Sequence, residues 1–257
     1  MPYAHTLPGD PPSDWEPLEH HLENVASLAA DYADAFGARE WGRLAGAWHD
    51  LGKYSAAFQA YLLKHADPNA GENEEAPGRV DHSTFGAQHA AHAFAGPVGQ
   101  ILAFCIAGHH AGLADGTSDD ATKQRSTLQG RLTLGPPRVP VVRLPDGIGT
   151  APAPKIPFAP SRDYLGFQVA FFTRMVFSCL VDADRIATEA FCDPVRAARR
   201  NRPKPTLDAL RAALTRFLAD KQAHAAPTPV NRLRSGVLGD CLAAAFHAPG
   251  FFSLTVP

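Results

Sequence analysis

The stretch W-G-R-L-A-G-A-W-H-D-L-G-K-Y, from Trp41 to Tyr54, sets His49 and Asp50 side by side within an otherwise apolar helical pattern. A carboxylate beside an imidazole in such surroundings must be paired or bound to a metal, because an unpaired charge taken out of water costs several kcal/mol or more. Successive helical residues point about 100° apart. His49 and Asp50 can therefore approach one ion only from two of its sides, and further ligands must come from elsewhere. Twelve histidines in 257 residues supply them at wide intervals: His20 and His21, His82, and the adjacent His109 and His110, joined by the acidic pair Asp182 and Asp184. Imidazole and carboxylate without thiolate suit a first-row transition ion or magnesium rather than a structural zinc knot.

The elements that must carry these groups read as helices. From Trp15 to Phe36 the apolar positions Val25, Leu28, Ala29, Tyr32 and Phe36 form one stripe at helical spacing, with His21 at its end and His20 pointing elsewhere. Ala38–Leu51 is the helix of the His-Asp pair, closed by Gly52. Lys53 follows at once, fit to hold a substrate phosphate or to pair with Asp50, or to be an ordinary cation at a helix C-terminus. Ser55–His65 is a helix with Phe58, Tyr61 and Leu62 as core. Residues 66–79 read as an exposed loop ending at Asp81-His82, and Ser83 as the N-cap of a helix to Phe94, which leaves His82 on the loop rim. His89 and His92 on that helix could mimic a metal pair but read as surface and half-buried residues. Pro97 opens a helix that ends at His109-His110. A short helix to about Leu132 precedes eight prolines between Pro136 and Pro160, a long extended stretch that borders the substrate groove or is a simple insertion.

Arg162–Phe191 is the longest helical pattern, and it carries both remaining acids. Two residues apart on a helix is about 200°, so one ion cannot easily take both. Asp184 shares a face with Phe177, Leu180, Val181 and Phe191, and is the buried one; Asp182 lies with Arg174, Ser178, Arg185 and Glu189. Beyond a basic, Pro-containing break at 201–205 come helices over 206–223 and 230–247, separated by the linker around Pro227 and Pro229. Residues 250–257 read as a β-strand without a partner. Residues 1–15 read as a loop, with His5 open between a surface residue and one that reaches the site.

The patterns predict an all-α protein whose 45% apolar content buries one good core. A net charge of −2 creates no global field for nucleic acid, so any DNA contact must be a local groove. No run of about 18 apolar residues and no signal pattern occurs, which points to a cytoplasmic protein with no membrane partner. Cys105, Cys179, Cys192 and Cys241 are far apart and read as buried, reduced thiols.

The order H-L-x-x-V-A from His21, W-H-D-L-G-K from Trp48, F-Q-x-Y-L from Phe58, D-H-S-T from Asp81, I-A-G-H-H-A-G-L from Ile106 and L-V-D-A-D-R from Leu180 resembles the HD metal-dependent phosphohydrolase superfamily. Within it, the chain is most similar to the HD nuclease of the CRISPR-associated nuclease-helicase of type I interference. The resemblance implies an HD-domain helical bundle with long polar and Pro-rich loops over residues 1–224, and a linker and truncated start of a RecA-like helicase domain over residues 225–257. In that family a similar strand leads into a Gly-rich phosphate loop; none follows Pro257, so the expectation is the N-terminal part of a larger protein, with no nucleotide site in this fragment. The implied centre gathers His21, His49, Asp50 and Asp184 around one divalent ion and Asp50, His82, His109 and His110 around a second, with Asp182 the weaker alternative to Asp184. The ions are Mn, Co, Ni, Fe or Mg. Asp50 would bridge them as a catalytic residue, and Lys53 would add charge at a non-bridging phosphate oxygen. Implied further are endonuclease or exonuclease cutting of single-stranded DNA and a crRNA-guided surveillance complex as recruiter. The competing readings are an HD phosphohydrolase acting on nucleotides or cyclic dinucleotides, and a catalytically silent metal-binding recruitment module.

Overall fold

A computed structural model describes residues 1–7, 9–66, 80–134, 152–200 and 203–255. The loops expected at 66–79 and 136–160 and the break at 201–205 lie in large part outside the described residues. The chain divides into two units, Met1–Asn201 and Arg202–Pro257.

In the first unit, helix α1 (Leu18–Asp34) packs along α2 (Arg39–Trp48). The two backbones come close enough that a Cβ on Gly42 would lie 2.2 Å from the Ala29 carbonyl oxygen, so a residue without a side chain is required there. Helices α3 (Ala56–Ala66), α4 (Ser83–Ala93), α5 (Pro97–Gly108) and α6 (Leu128–Leu134) follow, then the long α7 (Leu165–Cys192) and the short α8 (Pro194–Arg200). Helix α7 lies against both α1 and α5, and α4 against α5. One core results, in which Leu18, Leu22, Val25, Trp41, Leu44, Trp48, Leu102, Ile106, Val176 and Leu180 are almost fully buried. Burying each such aliphatic side chain is worth about 1.5–3 kcal/mol. Trp41 also anchors the irregular segment before α7: its Nε1 donates to the Lys155 carbonyl at 2.8 Å, and its ring meets Phe172 edge-on at 5.0 Å.

By length and mean hydropathy, 1.3 over its most apolar stretch, α7 is apolar enough to cross a membrane. Its inward stripe runs through Phe172, Val176, Leu180, Ala183, Asp184 and Ala187, so it closes the core of this unit and carries a carboxylate into it. Phe177, Val181 and Phe191, expected on the face of Asp184, are only half-buried at the stripe's edge.

Several elements differ from the sequence expectations. The N-terminal loop contains strand β1 (Tyr3–His5), antiparallel to β2 (Glu16–Pro17), with His5 opposite Glu16. Gln59 of α3 fastens β1 by accepting from Tyr3 N at 2.9 Å and donating to Tyr3 O at 2.9 Å. Because Glu16 and Pro17 are held in this ladder, α1 begins at Leu18 rather than Trp15. Of the four cysteines, all free, Cys105 and Cys179 are buried but Cys192 and Cys241 are exposed, since the helix ends that carry them lie outside the core.

The second unit contains α9 (Leu207–Ala223) and α10 (Pro229–Ala244). Each is N-capped by a threonine: Thr206 accepts from Ala209 N and Thr228 from Asn231 N, both at 3.2 Å. The strand expected at 250–257 is absent from residues 250–255: a strand needs a ladder partner, and among the described residues this segment has none.

Candidate metal centre

Five segments converge at one end of the α1–α2–α5–α7 core. His21 sits in the first turn of α1, His49 and Asp50 follow α2, His82 precedes α4, His109 and His110 follow α5, and Asp184 projects from α7. The His-Asp pair does not lie inside a helix as expected. Helix α2 ends at Trp48, and the chain tightens into a 3-10 turn over Leu51–Tyr54. The cause is a close approach: Gly52 N–H donates to the His82 carbonyl at 3.2 Å, and a Cβ on Gly52 would sit 2.2 Å from that oxygen. One glycine thus joins two ligand-bearing segments.

Asp50 stands at the middle. Its Oδ2 faces His49 Nε2 at 3.3 Å and His21 Nε2 at 3.6 Å. Asp184 Oδ1 closes that side, 3.4 Å from His21 Nε2 and 3.6 Å from His49 Nε2. Asp50 Oδ1 faces the other way, 3.4 Å from both His82 Nε2 and His109 Nε2. His82 Nε2 in turn meets His110 Nε2 at 2.8 Å. Lys53 Nζ lies 2.6 Å from Asp50 Oδ2 and donates to the Ala4 carbonyl at 3.3 Å, so it is a buried partner of the carboxylate, not a solvated helix-end cation.

The imidazoles are held from behind. His49 Nδ1–H donates to Gly46 O and His109 Nδ1–H to Ile106 O, both at 2.7 Å. His82 Nδ1 is 3.3 Å from Val80 O, and His21 Nδ1 is 3.3 Å from Glu16 Oε2. With Nδ1 of His49, His82 and His109 bonded to a carbonyl and that of His21 turned toward Glu16 without a hydrogen bond of proper geometry, each ring presents Nε2 inward, the arrangement by which outer partners fix the tautomer of a ligating histidine. The inward Nε2 atoms of His21, His49 and His109 and both Asp50 oxygens are buried without a hydrogen bond of proper geometry. A buried polar atom left so costs roughly 1–3 kcal/mol, and a divalent cation among these donors would satisfy all of them. The donor set fits a metal centre: Asp50, His82, His109 and His110 offer one group of mutually close ligand atoms, and His21, His49 and Asp50 another.

The two sides differ in proton affinity. Burial alone would push His21 down, but hydrogen bonds with Asp184, Asp50 and Glu16 outweigh it and raise it to about 10. His49, fully buried, is likewise raised to about 9, chiefly by the Asp50 charge. The same contacts overcome burial at Asp50 and Asp184, which lie well below the usual carboxylate range. His82, by contrast, is lowered to about 4 by burial, helped by Lys53 and His109 against the pull of Asp50. His110 is lowered to about 3 by burial, its ring packed on His109 at 3.9 Å.

Asp182, the weaker candidate, is exposed and outside the cluster, as are His20 and His92, neither of them expected as a ligand; His89 is half-buried with its ring edge-on to Trp48 at 4.7 Å. Sequence reasoning misses two groups and leaves a third open. Glu16 is buried, held down to about 2 despite burial by hydrogen bonds with His21 and His5. His5, open between surface and site from sequence alone, has Nδ1 2.7 Å from Glu16 Oε2. Arg131 of α6 donates through Nη2 to Ser83 Oγ at 2.7 Å and through Nε to Thr84 Oγ1 at 2.9 Å, and also to the Ala107 carbonyl, tying the His82 turn to the end of α5. Ser83 is not the cap of α4 but its first residue; Asp81 Oδ1 accepts from the amides of Ser83 and Thr84, both at 3.1 Å. The Asp-x-Ser-Thr spacing is a capping signal that identifies this in sequence. Nothing local marks Glu16 or Arg131.

Comparison with known proteins agrees with this geometry. The family described as "Cas3, HD domain" matches residues 7–220, which include every ligand candidate named above. No curated protein matches the chain. The match covers most of the sequence and the whole of the metal centre, and the chain belongs to the Cas3 HD domain family, metal-dependent HD hydrolases of CRISPR defence.

Proposed function

We propose that this protein is a nuclease that hydrolyses phosphodiester bonds of single-stranded DNA in CRISPR interference, delivered to its substrate by a crRNA-guided surveillance complex in the cytoplasm. The observation that carries the reading is Asp50, whose two oxygens face two separate sets of inward imidazole nitrogens. His21, His49, Asp184 and Asp50 Oδ2 would hold one divalent ion; His82, His109, His110 and Asp50 Oδ1 a second. Histidine-rich sites favour Mn, Fe, Co or Ni over Mg. When bound, such ions supply Lewis acidity to phosphoryl oxygens and lower the pKa of water. The chain's own part is to orient the ligands through their Nδ1 partners and to place the Lys53 ammonium on the groove wall, toward a non-bridging phosphate oxygen.

A strand rather than a free nucleotide is favoured by the shape and lining of the opening. The centre opens into a groove of about 530 Å³ lined by charged and polar side chains, with no Phe, Tyr or Trp to hold a base. The test is cleavage of circular single-stranded DNA, beside matched duplex and dNTPs, with EDTA or with added manganese, cobalt, nickel, iron or magnesium. Ion-dependent cutting of the circle, lost in Asp50→Ala, supports an endonuclease. Hydrolysis of dNTPs alone would replace this reading with a nucleotide phosphohydrolase, and bound ion without any hydrolysis would leave a silent recruitment module.

A further inference from the structure

The groove does not stop at the metal centre. The opening that contains Lys53, His109, His110 and Asp184 continues along the last turns of α7 and onto α8, where its wall is built by Arg185, Thr188, Glu189, Arg196 and Arg200. Arg185 and Glu189 are four apart on α7 and share a face. Glu189 lies about 7.5 Å further along the helix axis than Asp184, a displacement that brings it to the phosphates next to a scissile bond held at the centre.

The arginines already display an anion-binding geometry. Arg200 grips Glu189 with both prongs of its fork, Nε to Oε1 at 2.7 Å and Nη2 to Oε2 at 3.0 Å, and Arg196 Nε adds 3.1 Å to Oε2. A guanidinium fork on a planar pair of oxygens is the arrangement by which arginine also holds a phosphodiester. Glu189 is largely covered, with 14% of its side chain exposed, while Arg196 and Arg200 are 69% and 54% exposed. Exposed pairs of this kind are weak and exchangeable. Arg185, next to Asp184, is exposed and forms no ion pair among the described residues. Asp193 lines the same wall, so beyond the centre three arginines stand against two carboxylates, Glu189 and Asp193.

We infer that Arg185, Arg196 and Arg200 bind the phosphates flanking the scissile bond of a nucleic-acid strand, and that Glu189 occupies this wall as an internal competitor which the strand displaces. The inference rests on the nuclease reading above and adds to it the course of the strand.

The experiment compares two substrates and one binding assay on the full chain. Bis(4-nitrophenyl) phosphate has a cleavable diester but no flanking phosphates and reads the metal centre; a long oligodeoxynucleotide reads centre and wall together. Arg185→Ala and the triple variant Arg185→Ala/Arg196→Ala/Arg200→Ala should raise KM for the oligonucleotide, about tenfold in the triple variant, and leave the small ester within about twofold. The slope of log K against log salt for oligonucleotide binding should fall by about 0.7 for each arginine removed. Glu189→Gln should move binding the opposite way, tighter by a few-fold. Equal losses on both substrates would overturn the inference as a fold effect, and Arg185→Ala, which breaks no ion pair among the described residues, guards against that confusion. An unchanged salt slope in the triple variant would also overturn it. Oligonucleotide binding is read in EDTA, so the wall is tested even if wild-type protein hydrolyses neither substrate, an outcome that would instead count against the nuclease reading.

Discussion

The two sides of Asp50 are built from similar side chains and stand in different states. On the Oδ2 side, His21 and His49 are fully buried, share two carboxylates and are raised to about 10 and about 9. On the Oδ1 side, His82 faces one carboxylate oxygen of Asp50 and His110 pairs with His82; both reach toward solvent and are lowered to about 4 and about 3. Without an ion, the first side is neutralised by protons, while His82 and His110 on the second are neutral and hydrogen-bonded to one another. Equal ligand types therefore differ in what ion binding requires of them: the first side must release protons, the second need not. Their supports differ too, a buried carboxylate (Glu16) behind the first and an Arg131–Asp81 clamp behind the second.

The largest effect should come from the residue both sides share. Asp50→Ala removes the central carboxylate, and the rise in Tm that divalent ions give the wild-type protein should vanish together with hydrolysis; a variant that kept either would break the picture of one bridging group. Next in size are the supports. Glu16→Gln should weaken one ion about 10–100-fold and leave the other unchanged, and Arg131→Ala should do the reverse, as read by calorimetry. If both variants weakened the same ion, the two sides would not be independent.

Acidity sharpens the contrast further. In the ion-free protein, the raised His21 and His49 add stability that is full below their unfolded value near 6.5 and is lost as pH rises through about 9–10. The lowered His82 and His110 act oppositely: their contribution is full above about 6.5 and is lost as pH falls toward 4 and 3. Depressed Asp50 and Asp184 likewise lose stability as pH falls below the ordinary carboxylate range. The Tm of ion-free protein should thus peak near pH 6.5 and fall as pH rises from there to about 9–10, and a Tm unchanged from about pH 6.5 to 10 would contradict the protonated state of the first side. The smallest effect belongs to Asp182→Asn, which should change stability by no more than about 0.5 kcal/mol and activity not at all, because its side chain is exposed away from the cluster.

How much of this was readable beforehand follows from the range of each interaction. Helices α1, α2, α5 and α7 write their buried faces into a 3.6-residue period, so His21 and Asp184 could be separated from His20 and Asp182 by face alone, and the structure puts those pairs on opposite sides of the buried boundary. Where a contact joins distant segments, periodicity carries no signal. The end of α2 is set by Gly52 against His82, Glu16 reaches His21 because β1 pairs with β2, and Arg131 finds the α4 turn from 47 residues away. Helix α8, only seven residues long, is too short to show a period, and the sequence pattern assigns no element to residues 192–200.

The most direct test of the central claim is calorimetric titration of ion-free protein with Mn²⁺ at pH 6 and pH 8, each in two buffers of different ionisation enthalpy. Two binding events are predicted, one whose apparent heat depends on the buffer and whose affinity rises with pH by about tenfold per unit for each proton released, and one indifferent to both. A single event, or two that release no protons, would contradict the account of Asp50 as a bridge between a protonated and an unprotonated half.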